Sequence, residues 1–256
     1  MRFGSCCVAG LNGESGLSVT TETRLEPGRP FTAPEDFNTE RLCARMLERH
    51  RDTVRVRKDH VAVKKLAVIV EAVLALANRQ GFHATSLRDL SKRSRISMGG
   101  LYSYFDSKAT LLTMILTQVT ETAIEVLENP PQGVADTPRG HLDWLIDTHI
   151  RLTEAMQPWF IFAFMEAKSF PLSARRMAID SEAATEKIFV DVLKKGVEQK
   201  CFVVDNPGIT AALIKPLLQD WYVKRGKYRK RNVTIEDYIK AVSKFVGAAV
   251  FAEKTG

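Results

Sequence analysis

Cysteine is scarce in this chain, and every side-chain arrangement that would announce catalysis is missing. Its four cysteines, Cys6, Cys7, Cys43 and Cys201, share no C-x-x-C spacing, so neither a disulfide framework nor a cysteine zinc site is expected. The five histidines (50, 60, 83, 141 and 149) show no ligand spacing with cysteine or carboxylates. His141 and His149 are about two helical turns apart, too far to share one metal ion. There is no G-x-S-x-G elbow and no H-E-x-x-H helix. Gly10, Gly13 and Gly16 lack the Lys-Ser/Thr, the preceding strand and the following helix of a phosphate loop. The expectation is a protein that is not an enzyme and carries no cofactor.

Long apolar runs are also wanting. None reaches the roughly 18 residues of a spanning helix, and the opening MRFGSCCVAGLNG has no apolar stretch of signal-peptide length. No membrane partner and a cytoplasmic address are therefore expected. Strand-like alternation is nearly absent, and pieces such as Phe202-Val203-Val204 are too short to build a sheet.

What is present is helical period and an uneven charge distribution. The net charge of +7 favours polyanionic partners without identifying one. Residues 1–45 are poor in apolar residues and acidic, and read as a disordered extension. The charge then reverses: seven Lys or Arg fall between Arg49 and Lys65, and residues 46–60 read as a basic arm or, alternatively, a solvated helix face. From Val61 onward apolar residues recur at spacings of three and four. Val63, Leu66, Ala67, Val70, Val73, Leu74 and Ala77 form one such stripe, and Gly81 is suited to end it.

Two short helices follow. Thr85 or Ser86 can cap the first, through Leu87 and Leu90, because a side-chain oxygen there accepts an orphan backbone N–H. Ser94-Arg95-Ile96-Ser97 breaks it, and Ser97 can cap a helix holding Leu101, Tyr102, Tyr104 and Phe105. Asp106-Ser107 starts a longer helix through Leu111, Ile115 and Val119. Two short helices with a tight turn, buttressed on each side by a longer one, form the geometry that sets a recognition helix in a major groove of double-stranded DNA. Gly99 and Gly100 permit close approach to the duplex, or simply make a weak helix. Met98, Tyr102 and Ser103 are the candidate base-edge readers. Thr85, Ser86 and Lys108 lie at helix N-termini, which attract phosphate. Lys92 and Arg95, with Arg93, add salt-sensitive attraction.

The stretch GFHATSLRDLSKRSRISMGGLYSYFDSKATLL resembles the N-terminal signature of the TetR/AcrR regulators. The matching features are Gly81-Phe82, Ala84-Thr85, Arg88-Asp89-Leu90, Ile96-Ser97, Gly99, Leu101-Tyr102, Tyr104-Phe105 and Ser107-Lys108. Two positions depart from that family. Arg95 stands at a turn position that is usually glycine, at a cost of about 1 kcal/mol if its φ is positive. Ala77 replaces a bulky aromatic. The resemblance implies phosphate contacts by the Tyr102 and Tyr104 hydroxyls, although either ring suits a core.

The fold class expected is all-α: a three-helix helix-turn-helix DNA-binding domain over 61–107, joined to a larger helical effector-binding and dimerisation domain over 108–256. Helices are predicted over 138–156, 159–169, 173–200, 207–225 and 234–252. The final stripe (Ile235, Tyr238, Ile239, Val242, Phe245, Val246, Ala249, Val250) and Leu213, Ile214, Leu217, Leu218 and Trp221 suit either a core or the homodimer interface that the resemblance implies. An aromatic and methionine-rich region suits core or a cavity for an apolar effector, with Trp144, Met156, Trp159, Phe162, Met165, Glu166 and Phe189 as candidate lining. Six basic residues in 224–231 read as a solvated loop or as a site for an anionic moiety, such as the phosphates of an acyl-CoA effector known for some relatives in the family. The functional expectation is a homodimeric repressor released from a palindromic operator by a small apolar or acyl-CoA-type effector. A transcriptional activator and a nonspecific architectural DNA binder are the alternatives.

Overall fold

In the computed structural model, residues 37–251 are described, and the acidic extension expected over 1–45 lies outside them up to residue 36. From Phe37 on that expectation is corrected. Asn38 caps a helix, α1 (Thr39–Arg49), through a hydrogen bond from Arg41 N, and Leu42, Cys43, Met46 and Leu47 are buried along one face. Four apolar residues at helical spacing were too few to outweigh the acidic composition around them, yet burial of each supplies about 1.5–3 kcal/mol. The basic arm is corrected in its first part too. Arg49 ion-pairs with Glu121 and donates to Gln118 Oε1 at 2.7 Å, so it is a tie within the protein.

Helix α2 (Asp59–Gln80) buries the whole predicted stripe. It ends at Gly81, whose φ of 87° lies in the region that favours glycine. Ser86 caps α3 (Leu87–Ser94) in a reciprocal box with Asp89, and Ser97 caps α4 (Met98–Leu101). This second helix is a single turn, and Tyr102 to Phe105 continue it as hydrogen-bonded turns back to residues 98–101. Two glycines and the aromatic pair are weak helix formers, which accounts for the early stop.

Helix α5 (Lys108–Glu128) starts on Ser107 and is shared by both parts of the molecule. On length and composition it is apolar enough to cross a bilayer, with mean hydropathy 1.2, but 56% of that window is buried in the protein itself. Helix α6 (Pro138–Ala155) opens on the Thr137 cap with Pro138 in the first turn. Helices α7 (Gln157–Met165), α8 (Leu172–Glu198), α9 (Pro207–Val223) and α11 (Ile235–Val250) follow the predicted order. An unpredicted short helix, α10 (Arg225–Lys230), occupies the segment read as a loop. Among the described residues the only extended pairing is one bridge between Phe202 and Phe251.

One core runs from α1 and α2 through α5 to Leu152, Met156, Trp159 and Phe162. A second gathers α6, α8, α9 and α11 around Phe189, Leu218 and Trp221.

The turn between α3 and α4 places Arg95 at φ 56°, ψ 30°, the left-handed conformation expected of a glycine-type position. An L-residue there costs about 1–2 kcal/mol, whereas glycine adds roughly 0.5–1 kcal/mol of unfolded-state entropy. The strain is the larger quantity, and the exposed Arg95 side chain contributes no packing to lose. Arg95→Gly is therefore expected to stabilise the fold by about 0.5–1 kcal/mol, measured as a higher urea midpoint at unchanged slope. An unchanged or lower midpoint would show that the turn is not strained.

Candidate DNA interface and effector cavity

The exposed edge of the helix-turn-helix is built by α3, α4 and the turn after them. Tyr102 is 43% exposed, and Lys92, Arg93, Arg95, Ser97 and Gly99 are exposed with it, while Met98, Gly100 and Ser103 are half-buried. The two glycines play different parts. A Cβ on Gly99 would meet nothing within 4 Å, whereas one on Gly100 would lie 2.8 Å from Ile96 Cγ2 and 3.2 Å from Ser97 Oγ. Gly100 is required by the packing of its own turn. Gly99 is required by nothing inside the protein.

Three residues expected at the phosphate face are turned to internal work. Thr85 is buried and donates to Gly81 O at 2.9 Å, which locks the turn into α3. Tyr104 is 5% exposed, and burial raises its hydroxyl pKa. Lys108 donates to His83 O at 3.0 Å and lies over the Phe82 ring at 4.4 Å. Burial lowers its pKa, against the pull of Glu166. Ser86 stays exposed, but its hydroxyl is engaged by Asp89 at 2.6 Å. That hydrogen bond, with the one from Ser86 N, holds the Asp89 carboxyl below its usual range, so an anion already occupies the α3 N-terminus.

Other cations stand nearer the recognition turn than sequence position suggested. Arg55 N donates to Ser103 O at 2.8 Å, which pins the segment 51–58 beside it. Arg55, Arg57 and Lys58 are exposed there. The charge run was visible in the sequence; its docking on residue 103, almost fifty positions away, was not.

Behind this edge, α5, α6, α7, α8 and α9 line a half-open cavity of about 460 Å³, with Phe164, Met165 and Ile179 exposed at its mouth. Leu116, Val119 and Ala123 of α5 and Phe160, Phe164 and Met165 of α7 form much of its apolar wall. Of the predicted lining residues, only Met165 is there. Met156, Trp159 and Phe162 face the first core, where Phe162 meets Phe82 edge-to-face at 5.4 Å. Trp144 and Phe189 belong to the second core. The reason is helical phase: on α7, positions 159 and 162 share one face and 160, 163 and 164 the other. Glu166 was expected in the cavity but leaves it, accepting a hydrogen bond from Phe82 N at 2.8 Å. That bond joins the end of α7 directly to the turn between α2 and α3.

The cavity has a polar end that sequence reasoning missed. His149, Thr185 and Lys215 line it, each 5% exposed. Lys215 Nζ donates to Thr185 Oγ1 at 2.8 Å. Burial depresses the Lys215 pKa to about 8, opposed by Glu182 and Glu186, and burial followed by the Lys215 charge pushes His149 well below its usual value. His149 Nδ1 is buried without a hydrogen-bond partner. The only sequence signal was a lysine within an apolar helical stripe, beside Ile214.

The basic segment 224–231 is partly neutralised from within. Arg225 binds Glu154 through both carboxylate oxygens at 3.0–3.1 Å, while Lys224 and Lys227 reach Asp220 at 2.6 and 2.7 Å. Burial pushes the Asp220 carboxyl up, but hydrogen bonds from Lys224, Lys227 and Tyr228 outweigh it and hold the group well below the usual carboxylate range. No residue of 224–231 lines the cavity. Among the described residues no cluster of three His, Cys, Asp or Glu could hold a metal ion.

Comparison with known proteins follows the same two parts. Residues 69–115 match the family described as bacterial regulatory proteins, tetR family, and residues 135–244 match a tetracyclin repressor-like C-terminal domain. The HTH-type transcriptional repressor KstR of Rhodococcus jostii is 33% identical over 102 residues, covering 37% of this chain and 47% of that one. The HTH-type transcriptional regulator UidR of Escherichia coli K12 is 26% identical over 155 residues, 59% of this chain and 74% of its own. The matches to the first relatives thus span about half of their length. Among solved structures, the MbdR regulator from Azoarcus sp. CIB superposes with a TM-score of 0.63 at 15% identity, covering 73% of this chain and all of that one. PfmR from Thermus thermophilus, a TetR family regulator, gives 0.60 at 22% identity over 70% and 96% of the two chains. With the N-terminal and C-terminal domain models matched in order along one chain, this protein belongs to the TetR family of bacterial regulatory proteins.

Proposed function

We propose that the protein is a homodimeric repressor that occupies a palindromic operator and leaves it when a small apolar or acyl-bearing effector fills the cavity. The observation that carries this reading is the double use of α5. Leu111, Leu112 and Ile115 are buried in the core shared with the helix-turn-helix, and Leu116, Val119 and Ala123, within the next two turns, line the cavity. A molecule that displaces the second set moves the helix on which the first is seated. The Glu166–Phe82 hydrogen bond supplies a second route, because Phe164, Met165 and Ala167 line the cavity on either side of Glu166. An effector shifts the DNA-binding equilibrium only by its differential affinity for the two arrangements.

The dimer face in this reading is the outer side of α9 and α11. The apolar stripes of these helices divide. Ile214, Leu218, Trp221, Tyr238, Val242, Val246 and Val250 fill the monomer's own core, while Leu213 and Phe245 stay 67% and 66% exposed. Ile209 is exposed as well, as are Ala212, Pro216, Ala241, Ala248 and Ala249. Small residues around a few large apolar ones let two such faces approach closely, and a two-fold pair of helix-turn-helix units reads half-sites about one helical turn apart.

Binding itself rests on exposed cations for affinity and on the recognition turn for sequence. Two measurements test these assignments. Gly99→Ala is expected to leave thermal stability equal or higher, since alanine favours a helix by about 1 kcal/mol, while lowering operator affinity tenfold or more in fluorescence anisotropy. Gly100→Ala is expected to lower stability instead, through the clash with Ile96. Equal DNA affinity for wild type and Gly99→Ala would remove close approach from the account. For the dimer, Phe245→Glu combined with Leu213→Glu is expected to give folded monomers by sedimentation velocity and to abolish the operator footprint. Dimers of undiminished affinity would exclude this face.

A further inference from the structure

We infer that the cavity is built for an apolar monocarboxylate, its head group held by Lys215, Thr185 and His149 and its tail laid along the wall made by α5 and α7. This inference rests on the reading of the cavity as the effector site and assigns the chemical class of ligand. Its foundation is a buried cation that the fold leaves only partly satisfied. Lys215 Nζ has three N–H donors, and among the described residues its hydrogen-bond partner is Thr185 Oγ1 at 2.8 Å. Thr185 Oγ1 in turn donates to the backbone of Ser181 or Glu182, so the hydroxyl is oriented with its lone pairs toward the lysine. No carboxylate among the described residues forms an ion pair with Lys215. Glu182, one turn before Thr185, is engaged instead by Gln219 Nε2 at 2.8 Å.

A lone ammonium in such a place is costly unless something pairs with it. The second unsatisfied group is independent of the first: His149, from α6, lines the same cavity and keeps Nδ1 buried without a partner. Three buried polar side chains from three helices thus converge at one end of a largely apolar space. The cation's pKa of about 8 leaves it mostly protonated at neutral pH.

Charge and volume narrow the ligand. Around Lys215 the cavity offers one positive charge, one imidazole and one hydroxyl, while Glu182, which also lines it, is held by Gln219, so no more than a monoanion is balanced there. A phosphate dianion would leave a buried negative charge close to Glu182 and Glu186, the two carboxylates that already act on Lys215. Along α5 and α7 the wall is mostly aliphatic and aromatic, with Thr120, Lys168, Ser181 and Gln219 as its other polar members, and Tyr222 closes it between Phe160 and Phe164 at ring distances of 5.8 and 6.1 Å. A chain or ring of hydrocarbon fits there. The nucleotide end of a coenzyme A thioester would have to stay outside, where Arg229, Lys230 and Arg231 do not reach the cavity.

The test compares octanoate, 1-octanol and octanoyl-CoA by calorimetry on the full chain, and by release of operator DNA. Lys215→Met replaces the cation with an apolar side chain of similar length and is expected to fold, which circular dichroism checks. Thr185→Val is the second variant. We expect octanoate to bind the wild type at least tenfold more tightly than 1-octanol, to lose that margin in Lys215→Met and to lose part of it in Thr185→Val. Octanol affinity should be unchanged or higher in Lys215→Met. Equal binding of acid and alcohol by the wild type overturns the carboxylate site and leaves the effector reading intact. Tighter binding of octanoyl-CoA that is indifferent to Lys215 overturns it in favour of the thioester. Lysine-dependent octanoate binding that leaves the operator complex undisturbed supports the site and defeats the effector reading.

Discussion

The sharing of α5 between the core of the helix-turn-helix and the wall of the cavity constrains everything else in the molecule. Its first three turns complete the small helix-turn-helix unit, and the next two form a wall of the cavity. A DNA-binding unit of this size buries too little apolar surface to be robust alone, so its continuity with the larger body is a condition of its stability. Because interiors are close-packed, such a helix cannot yield smoothly; it occupies one packing or another. The N-terminal helix adds to that constraint. Arg45 grips Glu125 at 2.6–2.9 Å, and Arg49 binds Gln118 and Glu121. These three positions lie on one side of the same turns whose other side lines the cavity.

Polar groups inside the molecule divide by whether the fold satisfies them. Thr85, Lys108 and Glu166 are matched to backbone groups of the turn between α2 and α3, which Lys108 ties to α5 and Glu166 to the end of α7. Asp220 is matched by Lys224, Lys227 and Tyr228, with the Tyr228 ring tilted against Trp221 and edge-on to Tyr238. Among the described residues the exceptions are Lys215, with a single hydrogen-bond partner, and one buried ring nitrogen on each of His50, His141 and His149. An incompletely paired buried cation lowers stability, and in a regulator that deficit is what a ligand of the right charge can relieve.

Much of the helix-turn-helix was legible because its signals are local. Ser97 and Ser107 cap the helices expected of them, and Ser86, one of two candidates with Thr85, caps α3, since a cap depends on a side chain and a backbone N–H two or three residues away. The left-handed turn at Arg95 was implied by the family resemblance, in which that position is usually glycine. Helix α1 was missed because its evidence is one short amphipathic face of four buried residues within an acidic, apolar-poor stretch, packed mainly on α2 and also on α5. The cavity was misassigned for a related cause. Abundance of aromatics marks the region, but the phase of α7 against its neighbours decides which of them face inward.

The amino-acid sequence by itself determined the all-helical class, the order of the helices and the place of the recognition turn, through periodicity and capping chemistry that act over a few residues. It also carried the family resemblance. Tertiary structure alone decided which cations remain available to a phosphate backbone, which half of the α9 and α11 stripes stays exposed, and that Lys215, Thr185 and His149 meet. The physical reason is distance along the chain. Contacts between remote helices depend on how whole faces pack, and no residue records in its own neighbourhood which distant face it will meet.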